Sequence, residues 1–143
     1  DYSASTHAGR MRYEGLANRI YQQERIPYEM QMVLKAQIQT ESNWSPSAQS
    51  AFAGGLTQFI PSTARAYGVM YGTSQAAVES QIRGQARYMK DLLRQYNGNI
   101  THAIMAYNWG GTSRYVAGKT GGRMPKETRD YVDRIARRVQ YYR

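Results

Sequence analysis

Apolar positions along the chain recur at intervals of three and four, the spacing of one helical face. From Tyr28 to Ser42 the residues Met30, Val33, Leu34 and Ile38 form one stripe, and Glu41 falls at its C-terminal end. Pro46, just beyond, reads as the stop signal for that helix. A second long helix is predicted over Gln75–Tyr96, where Ile82, Ala86, Met89, Leu93 and Tyr96 are spaced by four and three and Asn97-Gly98 ends the run. Shorter helices are predicted from Arg10 to Glu24 around Leu16, Ile20 and Tyr13, and from Pro61 to Tyr67 behind an N-terminal proline. Another is predicted from Asn99 to Tyr107, with Ile100, Ala103, Ile104 and Tyr107 on one face. The last is predicted from Glu127 to Tyr141, with Tyr131, Ile135 and Val139 inward. The glycines between Gly110 and Gly122 read as a flexible loop. Period-two alternation is weak throughout, so the fold class is mainly α with little or no β structure. Residues 1–9 are small and polar and read as a loose arm preceding one helical domain over 10–143.

Composition narrows the chemistry. The chain has 143 residues, enough for one ordinary core, and no internal repeat or dividing linker. It contains no cysteine, which removes disulfides and thiolate chemistry. His7 and His102 are far apart in sequence and have no His/Cys/Asp cluster beside them, so no zinc site is expected. The net charge of +9 favours polyanionic partners such as nucleic acid, anionic membrane surfaces or bacterial cell wall. No nucleic-acid-binding motif accompanies that charge, and no apolar run of bilayer-spanning length occurs.

The acidic residues are distributed unevenly. After Glu41 the next carboxylate is Glu79, and residues 92–126 hold none. Glu41 thus stands alone at the head of a polar loop that contains Gly54 and Gly55. A negative charge at a helix C-terminus is unfavourable by about 0.3–1 kcal/mol, so the position serves stability poorly. Among apolar neighbours a carboxyl loses hydration and its pKa rises, which suits a general acid. Glycosidic cleavage needs such an acid and usually a second carboxylate. Glu127 and Asp130 can supply one only if the last helix folds back over the site; with a single carboxylate, the acid must later act as base toward a sugar hydroxyl. Thirteen Tyr and two Trp against two Phe add aromatic faces with polar edges. Trp44 and the Tyr107-Asn108-Trp109 run are candidates for stacking on sugars, with core packing as the alternative use.

Several blocks in order carry a family resemblance. Glu41-Ser42 is followed by Pro46, Ala48 and Ser50; "GLTQFIPSTA" runs from Gly55 to Ala64, "AIMAYNWGG" from Ala103 to Gly111, and "PKETRDYV" from Pro125 to Val132. At these residues, and at Gly84, Tyr88, Leu92 and Leu93, the sequence resembles the lytic transglycosylases with the soluble-lytic-transglycosylase-type (SLT) catalytic domain, which share a lysozyme-like fold. The resemblance extends over about residues 27–141. It implies that Glu41 is the sole catalytic acid and base, and that Ser50, Gln58, Ile60, Tyr107, Asn108 and Glu127 meet the substrate or position the acid. In particular, it implies that Tyr107 positions or hydrogen-bonds Glu41. The implied substrate is the peptidoglycan glycan strand, cut between N-acetylmuramic acid and N-acetylglucosamine with formation of a 1,6-anhydro ring. It implies a monomer without cofactor, acting periplasmically, after secretion or from a virion. A hydrolytic lysozyme of goose-like or phage type and a non-catalytic wall-binding module are the alternatives on the same fold. Thr57 stands where the family usually has Met, Trp109 where a small residue is common, and the Ser50–Gln58 interval is one residue shorter than in typical members.

Overall fold

The computed structural model describes residues 1–143. The chain folds into helices α1 (Ala4–Gln23), α2 (Tyr28–Ser42), α3 (Pro61–Tyr67), α4 (Gln75–Gln95), α5 (Ile100–Asn108), α6 (Thr112–Val116) and α7 (Lys126–Arg138), closed by a 3-10 turn over Val139–Tyr142. No sheet forms; two isolated bridges, Gln49 with Gly54 and Gly54 with Phe59, shape the loop between α2 and α3. The mainly α reading holds, and α2 and α3 occupy the predicted residues.

Helix α2 organises the rest. It packs against α7, the closing turn and α1, while α4 packs against α5, α1 and α3. Six consecutive α2 residues, Leu34 to Gln39, are buried. The helix is therefore surrounded rather than amphipathic, although the sequence shows only one apolar stripe. Its buried polar side chains are each satisfied, as burial demands. Lys35 pairs with Glu14 at 3.0 Å, Gln37 donates to the Tyr131 hydroxyl at 3.0 Å, and Gln39 accepts from Tyr142 at 2.9 Å. One apolar core joins Leu34 and Ile38 to Ile20, Leu56, Ile82, Met89 and Ile135.

The elements differ from the sequence reading at several points; the last helix stops at Arg138 rather than Tyr141, where the 3-10 turn takes over. Residues 4–9, expected as a loose arm, form the first turns of α1. Ser3 caps them by accepting from the Thr6 amide at 3.1 Å, and buried Thr6 donates to Asn43 at 3.2 Å. Helix α2 ends at Ser42 as expected, but Asn43 and Trp44, both left-handed with φ 51° and 63°, make the stop rather than Pro46. Ile100 begins α5 exposed rather than buried. The glycine-rich segment after α5 contains α6, a short helix hidden by its flanking glycines.

Trp44 was a candidate sugar-binding aromatic; it is a core residue. It is 1% exposed, and its indole N–H donates to the Tyr142 hydroxyl at 2.7 Å. That contact and the one from Asn43 to α1 hold the sharp reversal that follows Glu41.

Candidate active site

Glu41 lies in the last turn of α2, where α7 folds back over it. It takes part in none of the molecule's ion pairs. Its Oε2 accepts a hydrogen bond from the buried Tyr131 hydroxyl of α7 at 2.7 Å. Although half-buried by surface area, the carboxyl group is desolvated by the side chains around it. That loss of hydration pushes its pKa up to about 8, the charge of Glu127 adds to the rise, and the Tyr131 hydrogen bond opposes it. Glu41 is thus protonated at neutral pH and ready to donate.

Ser42, the residue after Glu41, reaches across to the loop that precedes α3. Its hydroxyl donates to the carbonyl of Leu56 at 2.7 Å and to that of Ile38 at 3.2 Å. The loop 54–58 is thereby pinned to the end of α2. From the other side, buried Gln81 accepts from the Leu56 amide at 2.8 Å and donates to the carbonyls of Met70 and Gly72, both at 3.0 Å. One amide side chain thus ties two loops to α4. Gly55, at φ +88°, is where the chain bends past it, and an added Cβ there would lie 2.8 Å from the Gln81 side chain.

Two cavities flank this loop. One, of ≈ 310 Å³, is bounded by Pro46–Gly55, Pro61 and Tyr71–Thr73. The other, of ≈ 320 Å³, is lined among others by Gln58, Ile60, Tyr107, Asn108 and Trp109. Gln58 lies between them. It lines the second, and its amide nitrogen donates to the carbonyls of Ala48 (3.0 Å) and Gly55 (2.8 Å) in the wall of the first. Its backbone is left-handed, φ 54°, a strained geometry that positions this side chain.

The sequence-derived candidates therefore separate. Gln58, Ile60, Tyr107 and Asn108 converge on one cavity. Ile60 is 46% exposed there, and Asn108 is held by a 2.9 Å hydrogen bond from Thr128 of α7. Ser50 lines the other cavity, and its hydroxyl accepts from the Ala53 amide at 3.1 Å, bracing its own turn. Glu127 is exposed on the first turn of α7, near enough for its charge to act on Glu41. Asp130, the other carboxylate of that helix, pairs with Lys126 at 2.8 Å.

The expected hydrogen bond from Tyr107 to Glu41 does not form. The Tyr107 hydroxyl donates to the Thr57 carbonyl at 2.9 Å. Glu41 acts on Tyr107 only through its charge, which adds to burial in raising the phenol pKa. Tyr107 is committed to an aromatic wall with Phe59 and Tyr88, at ring separations of 5.8 and 5.2 Å. The tyrosine that holds the acid is Tyr131. The helical pattern turned Tyr131 inward but did not identify its partner.

Trp109 closes one side of the second cavity. Its ring lies against Gly111 so closely that a Cβ there would sit 2.3 Å from it. The departure from the small residue common at this position is accommodated by that glycine.

Residues 18–128 match the sequence profile of the transglycosylase SLT domain. Among solved structures, the chain is similar to an inactive mutant of the lytic transglycosylase Slt from Pseudomonas aeruginosa. The TM-score is 0.70 and the identity 24%, over 92% of this chain and 24% of that one. That likeness is one of fold, and this chain spans about a quarter of the length of that protein. With the profile match covering more than half of its residues, the chain belongs to the transglycosylase SLT domain family.

Proposed function

We propose that this chain is the catalytic domain of a peptidoglycan lytic transglycosylase, acting on glycan strands outside the cytoplasmic membrane. The observation that carries the reading is Glu41: a carboxyl group free of any cation, desolvated so that it holds its proton to about pH 8, within a family of transglycosylase domains. In the first step Glu41 gives its proton to the glycosidic oxygen, and the bond from muramoyl C1 to that oxygen breaks. The N-acetylglucosamine side leaves as the 4-alcohol. In the second step the C6 hydroxyl oxygen bonds to C1 and its proton passes to the Glu41 carboxylate. No water is consumed, a 1,6-anhydro ring remains, and the acid is regenerated.

The cavity lined by Gln58, Ile60, Tyr107 and Asn108 is the proposed glycan site, and Trp109 offers it an aromatic face. Ser50, in the wall of the other cavity, and Glu127, whose charge reaches Glu41, are the further proposed substrate contacts. The +9 net charge favours approach to anionic wall polymers.

A hydrolytic lysozyme is the second reading, and the nearness of Glu127 to Glu41 favours it, because a second carboxylate can activate water. Mass spectrometry of digested sacculi decides between them. Muramoyl ends lacking one water are expected for the transglycosylase; ordinary reducing ends overturn it in favour of hydrolysis. Binding without either product, unchanged by Glu41→Gln, identifies a wall-binding module instead.

A further inference from the structure

A chain of buried hydrogen bonds ends on Glu41, and its direction is fixed by one backbone atom. The side-chain nitrogen of Gln85 lies 2.9 Å from the Leu34 carbonyl oxygen, which can only accept. The amide of Gln85 is therefore oriented. Its oxygen accepts from Tyr21 at 2.7 Å, and its second N–H points to Gln37 at 2.8 Å. The facing atom of Gln37 must then be its oxygen, which turns the Gln37 nitrogen toward the Tyr131 hydroxyl at 3.0 Å. The Tyr131 oxygen receives that hydrogen, and Glu41 Oε2, at 2.7 Å, is the acceptor for its own proton. Gln37, Gln85 and Tyr131 are all buried, so no competing water enters the chain.

We propose that Gln37 and Gln85 are positioning residues for Glu41: anchored on the Leu34 carbonyl, they fix Tyr131 as a donor to Oε2 and leave Oε1 to exchange the proton with substrate. The inference deepens the proposed function, resting on it for the word substrate, while the hydrogen-bond direction stands independently. Its consequence is a single protonation geometry. In both states of the acid Oε2 is occupied by the Tyr131 hydrogen, so the carboxyl proton resides on Oε1. A side chain whose two oxygens were equivalent would present the wrong one half of the time. The same chain polarises Tyr131, making it a stronger donor to the carboxylate that forms after proton transfer. The charged or titratable groups that face Glu41 are Tyr131 and Glu127 from α7 and Tyr107 from α5.

The test reads Glu41 directly. In protein labelled with 13C at glutamate side-chain carboxyls, the Glu41 signal is the one missing from Glu41→Gln, and its titration is followed by NMR. Tyr131→Phe is expected to raise the proton affinity of Glu41 about tenfold, the loss of one hydrogen bond to a charged acceptor. Gln37→Met, which keeps the volume, is expected to raise it about threefold. In the Tyr131→Phe background Gln37→Met should add nothing, because the chain acts only through the phenol. A Gln37→Met shift that persists without Tyr131, or no shift with Tyr131 present, overturns the proposal. Gln85→Met, one link further back, must move the titration in the same direction as Gln37→Met, and it carries the test if Gln37→Met lowers the folded fraction. These titrations need no glycan cleavage. Failure of the proposed function would appear separately, as sacculus lysis that survives Glu41→Gln.

Discussion

Ser42 donates to the Leu56 carbonyl at 2.7 Å, so the residue that follows the acid also holds the loop that carries Gln58. The end of α2 and the cavity wall therefore move together. Replacing Ser42 with Ala removes this buried bond and leaves the carbonyl unpartnered, at about 1–3 kcal/mol. Thermal unfolding should show that loss. Steady-state turnover of glycan should show KM rising more than kcat falls, since the loop is displaced and the acid is retained.

Glu41→Gln should abolish cleavage while stabilising the fold at alkaline pH. The folded pKa, about 8, lies above the ordinary carboxylate value of 4.5. Between those values the unfolded chain releases a proton that the folded chain keeps. Folding stability from this group is thus complete below pH 4.5 and is lost as pH rises through 8. The glutamine variant escapes that loss. Its advantage in denaturant unfolding should be near zero at pH 4 and grow to roughly 4 kcal/mol at pH 8; an advantage independent of pH would contradict the account.

Activity should fall as pH rises through about 8, where Glu41 loses its proton. Glu127→Gln removes a charge that raises this pKa, so the alkaline limb of kcat/KM should move toward neutral pH. A limb that stays in place would show that Glu127 does not act on the acid.

Fluorescence separates the two tryptophans. Trp44 is sealed in the core, whereas Trp109 lines the cavity beside Tyr107. Titration with chitooligosaccharide should quench emission in the wild type and leave it unchanged in Trp109→Phe, whose KM should rise severalfold. Quenching that survives in the variant would place the ligand elsewhere.

Gln81→Leu tests the loop anchor. It strands the buried Leu56 amide and releases the Met70 and Gly72 carbonyls, so a loss of about 1–3 kcal/mol in unfolding free energy is expected, together with faster amide exchange at Leu56.

Much of the helical order was legible because apolar residues at three-four spacing report one buried face. Helices α2 and α3 matched, and α4 differed by a single residue at its end. Glu41 was legible for another reason: the surrounding sequence holds no other acid. What escaped was polar burial. Gln37, Gln81 and Gln85 are buried, but they lie outside the apolar stripes, and nothing in a glutamine's neighbours shows that its amide is enclosed. Tyr107 and Tyr131 both pointed inward by spacing, but only tertiary packing decides which hydroxyl reaches the acid. The first turns of α1 lie outside the apolar pattern because Thr6 is buried against Asn43 and Gly9 passes close to Trp44, with no apolar stripe to report either contact.

The enclosure of α2 has a consequence for sequence drift. A saturation library across Leu34 to Gln39 should lack the usual helical rhythm of permissive and forbidden sites. Six adjacent codons should be intolerant in a row, glutamines as much as aliphatics, because this stretch of the helix has no outside on which change is silent.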